Sequence, residues 1–282
     1  MDSRELKDRE LRSWTAVAPG WRKNDATLRE ATQGVTARML DLAQLAPGHK
    51  VLDIACGTGE PAIPAAQRVA PDGFVAGTDL VPEMVAFARE KAAALRVTNI
   101  EFRVMDAESL LLNPDSVDAV TIRWGLMFMP NPLRCLEHAH HALKPGGRLV
   151  VTHWTRPERN PWASIPVTAM KRHIDIPTPP DGAPGLYSFA EADRITRLLD
   201  QAGFRDIALE TMSVPMIDTV DGAAYWSWVR EMAGPVATVY GRLPETVRPT
   251  VDREIAEAAE AQSQRRGKVR LAGETWITRA VK

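Results

Sequence analysis

Between residues 50 and 151, short apolar runs alternate with segments of helical period. Val51–Ala55, Gly73–Thr78, Ile100–Val104, Val117–Ile122 and Gly147–His153 have strand length. Between them, Glu60–Val69, Val81–Leu95 and Asn131–Leu143 carry apolar residues at helical spacing. In the second of these helices Met84, Phe87, Ala88, Lys91, Ala92 and Leu95 share one face, and the stem of Lys91 can lie along its apolar neighbours. Strands alternating with helices predict parallel pairing through crossover helices, and so an α/β sheet with helices on both faces.

The flanks read differently. Phe189–Ala202 predicts a helix closed by Gly203, Arg205–Val214 and Lys268–Val281 predict strands, and residues 219–264 predict a helical stretch. Thr155–Leu186 is rich in Pro and Gly and reads as a lid or loop with a short helix. The first 45 residues read as amphipathic helix carrying Trp14 and Trp21. The expected organisation is an N-terminal helical lid (1–45), a core (46–214 and 268–282) containing the lid loop 155–186, and a helical insertion (215–267) forming part of a substrate cap.

Composition changes this picture little. A chain of 282 residues has room for one large domain with an insertion. The formal net charge of −1 argues against a nucleic-acid or anionic-membrane footprint. Cys56 and Cys135 make neither a disulfide framework nor a CxxC pair, which predicts a reducing compartment, the cytoplasm. The charged start of the chain lacks an apolar signal core, and no apolar run is long enough to span a membrane.

The chemistry concentrates in Val51-Leu52-Asp53-Ile54-Ala55-Cys56-Gly57-Thr58-Gly59-Glu60, a strand running through a glycine turn into a helix. Glycines there allow positive φ and close approach of a ligand to the main chain, at the strand end where open α/β sheets bind ligands. Pro61 and Pro64 fall in the first helical turn, where the amides lack partners anyway. Asp79, at the end of the second strand, suits the two hydroxyls of a ribose. Asp106 ends the third strand and could accept an adenine amine, and Arg123-Trp124-Gly125 ends the fourth.

These stretches, with GTDLVPEMV (77–85), VMDAESL (104–110), DSVDAVTIRWGLMFMPNP (115–132) and LKPGGRLVVTHW (143–154), resemble the class I S-adenosylmethionine-dependent methyltransferases of the ubiquinone/menaquinone-biosynthesis type. The resemblance covers residues 45–155 and, more loosely, 186–214 and 268–282. It implies a Rossmann-like, seven-stranded, mostly parallel sheet with an antiparallel last strand, S-adenosylmethionine as cofactor, and S-adenosylhomocysteine as product. It also implies that Asp53, Ala55, Gly57 and Gly59 flank the methionine part and that Asp79 takes the ribose. Leu80 and Met84 then lie by the adenosyl group, Asp106 and Ala107 meet the adenine edge, Arg123 lines the methionine side, and Trp21 belongs to a segment folding over the cofactor. Glu60-Pro61 stands where family members often have a third small residue.

Competing readings stand beside these. Gly57-x-Gly59-x-x-Ala62 with Asp79 also fits a nicotinamide dinucleotide site, although Asp53 and the Lys144-Pro145-Gly146-Gly147 turn favour the methyltransferase. A cofactor-binding regulator without catalysis is a further alternative. His153 closes the fifth strand and could take a proton from the acceptor, or be a hydrogen-bonded structural histidine. His138, His140 and His141 lack the further ligands that a metal needs, so no metal is expected. Cys56 reads as a small filler behind the turn. Trp124, Phe128 and Trp154 suggest an apolar or aromatic small-molecule acceptor, with O- or C-methylation favoured. Tyr225, Trp226, Trp228 and Tyr240 could line its pocket or form the insertion's own core. A homodimer is left open.

Overall fold

The computed structural model describes residues 3–177, 179–180, 182–263 and 268–282. Residues 1–2 of the expected lid, 178 and 181 of the lid loop, and 264–267 of the insertion lie outside the described residues. Two helices, α1 (Ser3–Lys23) and α2 (Asp25–Leu42), precede the sheet. Then follow β1 (Lys50–Ile54), α3 (Ala62–Val69), β2 (Phe74–Asp79), α4 (Pro82–Ala94), β3 (Ile100–Val104), β4 (Val117–Arg123), α5 (Pro132–Ala142) and β5 (Leu143–Trp154). The remainder comprises α6 (Pro161–Met170), α7 (Ala192–Gln201), β6 (Arg205–Thr219), α8 (Gly222–Met232), α9 (Gly234–Gly241), α10 (Arg248–Ser263) and β7 (Val269–Val281).

The seven strands form one sheet in the order β3-β2-β1-β4-β5-β7-β6. Strands β1 to β5 pair in parallel, and β7 runs antiparallel to both β5 and β6. The central strand β1 is covered on both faces, so Val51, Leu52 and Ile54 are all buried and its sequence is a continuous apolar run rather than an alternating one. The winding reverses between β1 and β4, opening a crevice at their carboxyl ends. Among the described residues no helix is long and apolar enough to cross a membrane.

Some elements differ from expectation. Strand β6 continues past Val214 to Thr219: pairing with β7 breaks between Val214 and Ile217, then resumes to Thr219↔Val269. The connector carrying α8, α9 and α10 therefore leaves and rejoins the sheet between paired residues. Because β6 runs parallel to β5, that connector emerges at the rim where the crevice opens. On α4, Met84, Val85, Ala88 and Ala92 are buried, but Leu95 is exposed. Lys91 does not snorkel to solvent; its ammonium pairs with Asp25 at 2.9 Å and Glu60 at 3.4 Å.

Candidate active site

The turn after β1 places Ala55, Gly57 and Gly59 at φ of +56°, +51° and +98°. A Cβ on Gly59 would lie 2.8 Å from the Ile63 side chain, whereas one on Gly57 would meet no protein atom within 4 Å. Gly59 is thus needed for closure of the turn, while Gly57 leaves space in front of it. Asp79, at the end of β2, braces this turn. Its Oδ2 accepts the Gly57 amide at 2.8 Å and its Oδ1 the Val81 amide at 2.9 Å. Burial pushes its carboxyl up, against those amides, which favour the carboxylate. Asp53 lies beneath the turn, fully buried, accepting from Thr121 Oγ1 at 2.6 Å. Burial raises its pKa to about 7, with Thr121, the Arg123 charge and the Ala62 amide opposing.

Across the crevice, β4 ends in Arg123 and Trp124. The Arg123 guanidinium is buried and donates to Thr32 Oγ1 (2.8 Å) and Thr36 Oγ1 (3.2 Å) of α2. Burial lowers its pKa, and Glu60, Asp53 and Asp25 counter this only at longer range. A buried cation bonded to neutral hydroxyls on the wall of a cavity is suited to an incoming carboxylate. Trp124 takes a left-handed φ of +54° and donates from Nε1 to Thr275 Oγ1 at 2.9 Å. Its ring stacks on Trp154 with centroids 4.6 Å apart and planes 9° apart. Trp154 meets Trp162 edge-on at 5.0 Å, and Trp162 meets Trp228 of α8 at 6.5 Å. The turns and this indole row line one largely apolar cavity.

Helix α1 roofs the cavity with Lys7, Glu10, Trp14 and Trp21. Lys7 pairs with Asp106 and with the buried Glu108, both at 2.7 Å. Although burial opposes it, the Lys7 ammonium and the Glu108 amide, both donating to Asp106, hold its carboxyl below the ordinary range. Trp14 packs edge-on against Phe128 at 4.9 Å, and Trp21 Nε1 donates to the Met232 carbonyl at 2.8 Å. Gly20 permits this seating, since a Cβ there would lie 2.0 Å from the Glu231 carbonyl oxygen.

The expected site residues separate into three groups. Ala55, Gly57, Asp79, Leu80, Met84, Asp106, Ala107, Arg123 and Trp21 line the cavity, together with Trp124, Phe128 and Trp154. Asp53 and Gly59 sit behind the turn and support it. His153 is a correction: it is fully buried outside the cavity, with Nε2 at 3.1 Å from Thr278 Oγ1 and its ring beside Phe189. Burial lowers its pKa to about 3, so it is neutral and out of reach of a substrate proton. Of the insertion's aromatics only Trp228 reaches the cavity. Tyr225 and Trp226 are buried within the cap, where Trp226 bonds Asp252 and packs on Tyr240. His138 Nε2 lies 3.2 Å from the Glu108 carbonyl, and His140 packs edge-on against Phe204. Sequence reasoning missed Lys7, Glu10, Glu108 and Trp162 as wall residues. The spacing of Lys7, Glu10 and Trp14 on one helical face is the signal that could have found the first two.

A model of the methyltransferase domain matches residues 45–202. An arsenite methyltransferase of Halobacterium salinarum is 29% identical over 205 residues, 72% of this chain and 48% of its own. A demethylmenaquinone methyltransferase of Listeria monocytogenes is 32% identical over 126 residues, 45% of this chain and 53% of its own. The chain spans about half the length of these curated relatives. A phosphoethanolamine N-methyltransferase of Haemonchus contortus, solved with S-adenosyl-L-methionine, shares the fold with a TM-score of 0.53 and 19% identity over 88% of this chain and 52% of its own. The dinucleotide reading is set aside by the domain match, and the residues around the crevice fit an adenosyl-sulfonium: an acid braced by amides, an open glycine face and a buried guanidinium. The chain belongs to the methyltransferase-domain family, and it forms a seven-stranded sheet with one antiparallel strand.

Proposed function

We propose that this protein methylates a small, planar, apolar or aromatic molecule, with O- or C-methylation favoured. The observation that carries the reading is the indole row Trp124-Trp154-Trp162-Trp228, which extends the cavity from the Arg123 turn into the cap. S-adenosylmethionine supplies an activated methyl group on a sulfonium. Asp79, which lines the cavity, would hold the ribose hydroxyls. Arg123 would hold the methionine carboxylate, with the main chain at Ala55 and Gly57 beside it. Leu80, Met84 and Ala107 would flank the adenine, and Asp106 would meet its edge.

The remaining task is alignment of acceptor, methyl and sulfur, and positioning of this kind can supply roughly 7–11 kcal/mol. Charge is lost as the methyl leaves, so exclusion of water favours the transition state. The N-terminal helices, α6 after the fifth strand and the cap helices α8 to α10 would provide that exclusion over the sheet core. The substrate of the arsenite relative is not supported here. Soft thiolates are the ligands for such a centre, and the two cysteines, Cys56 and Cys135, are both buried with their thiols pushed up by that burial.

Labelled S-adenosylmethionine offered with phenols, quinones, amines and thiols tests the reading. Label transfer to planar phenols or quinones is expected. Transfer to thiols or amines alone would overturn the acceptor class, and cofactor binding without any transfer would favour a silent binding protein.

A further inference from the structure

Glu10 lines the cavity and is not among the residues assigned above to the cofactor. It stands on α1 one turn from Lys7, which pairs with Asp106 and Glu108, and one turn from Trp14, which packs on Phe128. It thus lies between the cofactor's adenine end and the aromatic wall. The residue is 9% exposed. Its Oε1 accepts from Arg9 at 3.1 Å, while Oε2 is fully buried with no hydrogen-bond partner. A buried carboxylate oxygen without a donor is costly and rare unless a ligand supplies one.

The other cavity acids are committed. Both Asp79 oxygens accept amides, Asp106 and Glu108 share Lys7, and Glu60 takes Lys91 at 3.4 Å. Among the described cavity residues, Glu10 Oε2 is the buried side-chain oxygen left without a partner. Burial raises the Glu10 carboxyl above its ordinary value, with the Arg9 charge and the nearby Trp14 opposing, and this improves it as a proton acceptor.

We propose that Glu10 is the catalytic base of this enzyme and that its acceptor is a neutral planar aromatic hydroxyl compound, a phenol or enol, whose O–H donates to Oε2. This rests on the methyl-transfer reading above. As the acceptor oxygen forms its bond to the methyl carbon, the carbon–sulfur bond breaks and sulfur keeps the electron pair. The hydroxyl proton passes to Glu10. An acceptor already ionised would face the unpartnered Oε2 of this carboxylate and be repelled, so the site selects the protonated form. Because Glu10 rides on the lid helix, the base is in place only when α1 is seated.

The test compares 2-naphthol with 2-methoxynaphthalene on protein loaded with S-adenosylhomocysteine, in wild type, Glu10→Gln and Glu10→Leu. Wild type should bind the naphthol at least about tenfold more tightly than its ether, as one charge-assisted hydrogen bond gives. Glu10→Leu should lose that preference with S-adenosylhomocysteine affinity within twofold of wild type. The wild-type preference should also fade as pH falls through the Glu10 pKa, with Lys7, Arg9, Asp106 and Glu108 the charged neighbours facing it. Glu10→Gln keeps a carbonyl acceptor but cannot take a proton. It should bind naphthol nearly as wild type does, while its transfer rate from labelled cofactor falls about a hundredfold or more. An unchanged preference in Glu10→Leu overturns the proposal. So does a tenfold loss of S-adenosylhomocysteine affinity in that variant, which would assign Glu10 to the cofactor. Wild type that binds neither naphthalene while binding S-adenosylhomocysteine overturns the acceptor class itself, and the base with it.

Discussion

Asp79 braces the glycine turn while lining the cavity, each of its oxygens accepting one amide. Hydrogen bonds to a charged group contribute about 1.5–3 kcal/mol each. Asp79→Ala is therefore expected to weaken S-adenosylmethionine at least about tenfold by calorimetry, and wild-type affinity would refute the ribose assignment. Asp53 makes a different prediction. Its folded pKa of about 7 lies above the ordinary carboxyl range, so the folded state binds the extra proton across the interval between them. Its contribution to stability is therefore greatest in acid and declines as pH rises from about 4 to 7. Asp53→Asn should flatten the Tm-against-pH curve over that interval. An unaltered slope would mean that the Thr121 bond and the Arg123 charge keep the acid ionised.

At the scale of elements, α1 is held at two ends. Trp21 and Lys23 fix its carboxyl-terminal half to α8, and Lys7 pins its start to Asp106 and Glu108. Lys7→Ala leaves Glu108 buried without its cation, so faster hydrogen exchange across residues 3–14 and faster release of S-adenosylhomocysteine are expected. Protection equal to wild type would show that Trp14 and Trp21 seat the helix unaided. The succession of strands and helices from β1 to β5 was legible because the central parallel strands are covered on both faces and read as near-continuous apolar runs, and the glycine turn because its backbone demands are local. The lid helix with Trp21 was expected, but its charged grip was not: Lys7 meets Asp106 across 99 positions of chain, and its segment looks solvated until the fold brings the acids to it. His153 carries a plainer lesson. Successive residues of a strand point to opposite faces, so His153 and Trp154 could not both reach one cavity, and that parity was present in the sequence.

For the molecule as a whole, α1, the loops and the cap converge on one rim, and a ligand held there couples pieces distant in sequence. Cofactor at about one hundred times its Kd adds roughly 2.7 kcal/mol to stability. S-adenosylhomocysteine at that excess should raise Tm by about 5 °C, with α1 and α8 gaining exchange protection together. A Tm rise with protection confined to β1 and β2 would mean that the roof closes independently of the cofactor. The pairing of Thr219 with Val269 bears on how such a protein can change its diet. Everything between those two residues departs and returns through a single doorway in the sheet, so a relative's version can be spliced in without moving any strand. Exchanged along with residues 3–24, which grip it, that cassette should carry acceptor preference to a new host while the host's grip on the methyl donor stays as it was.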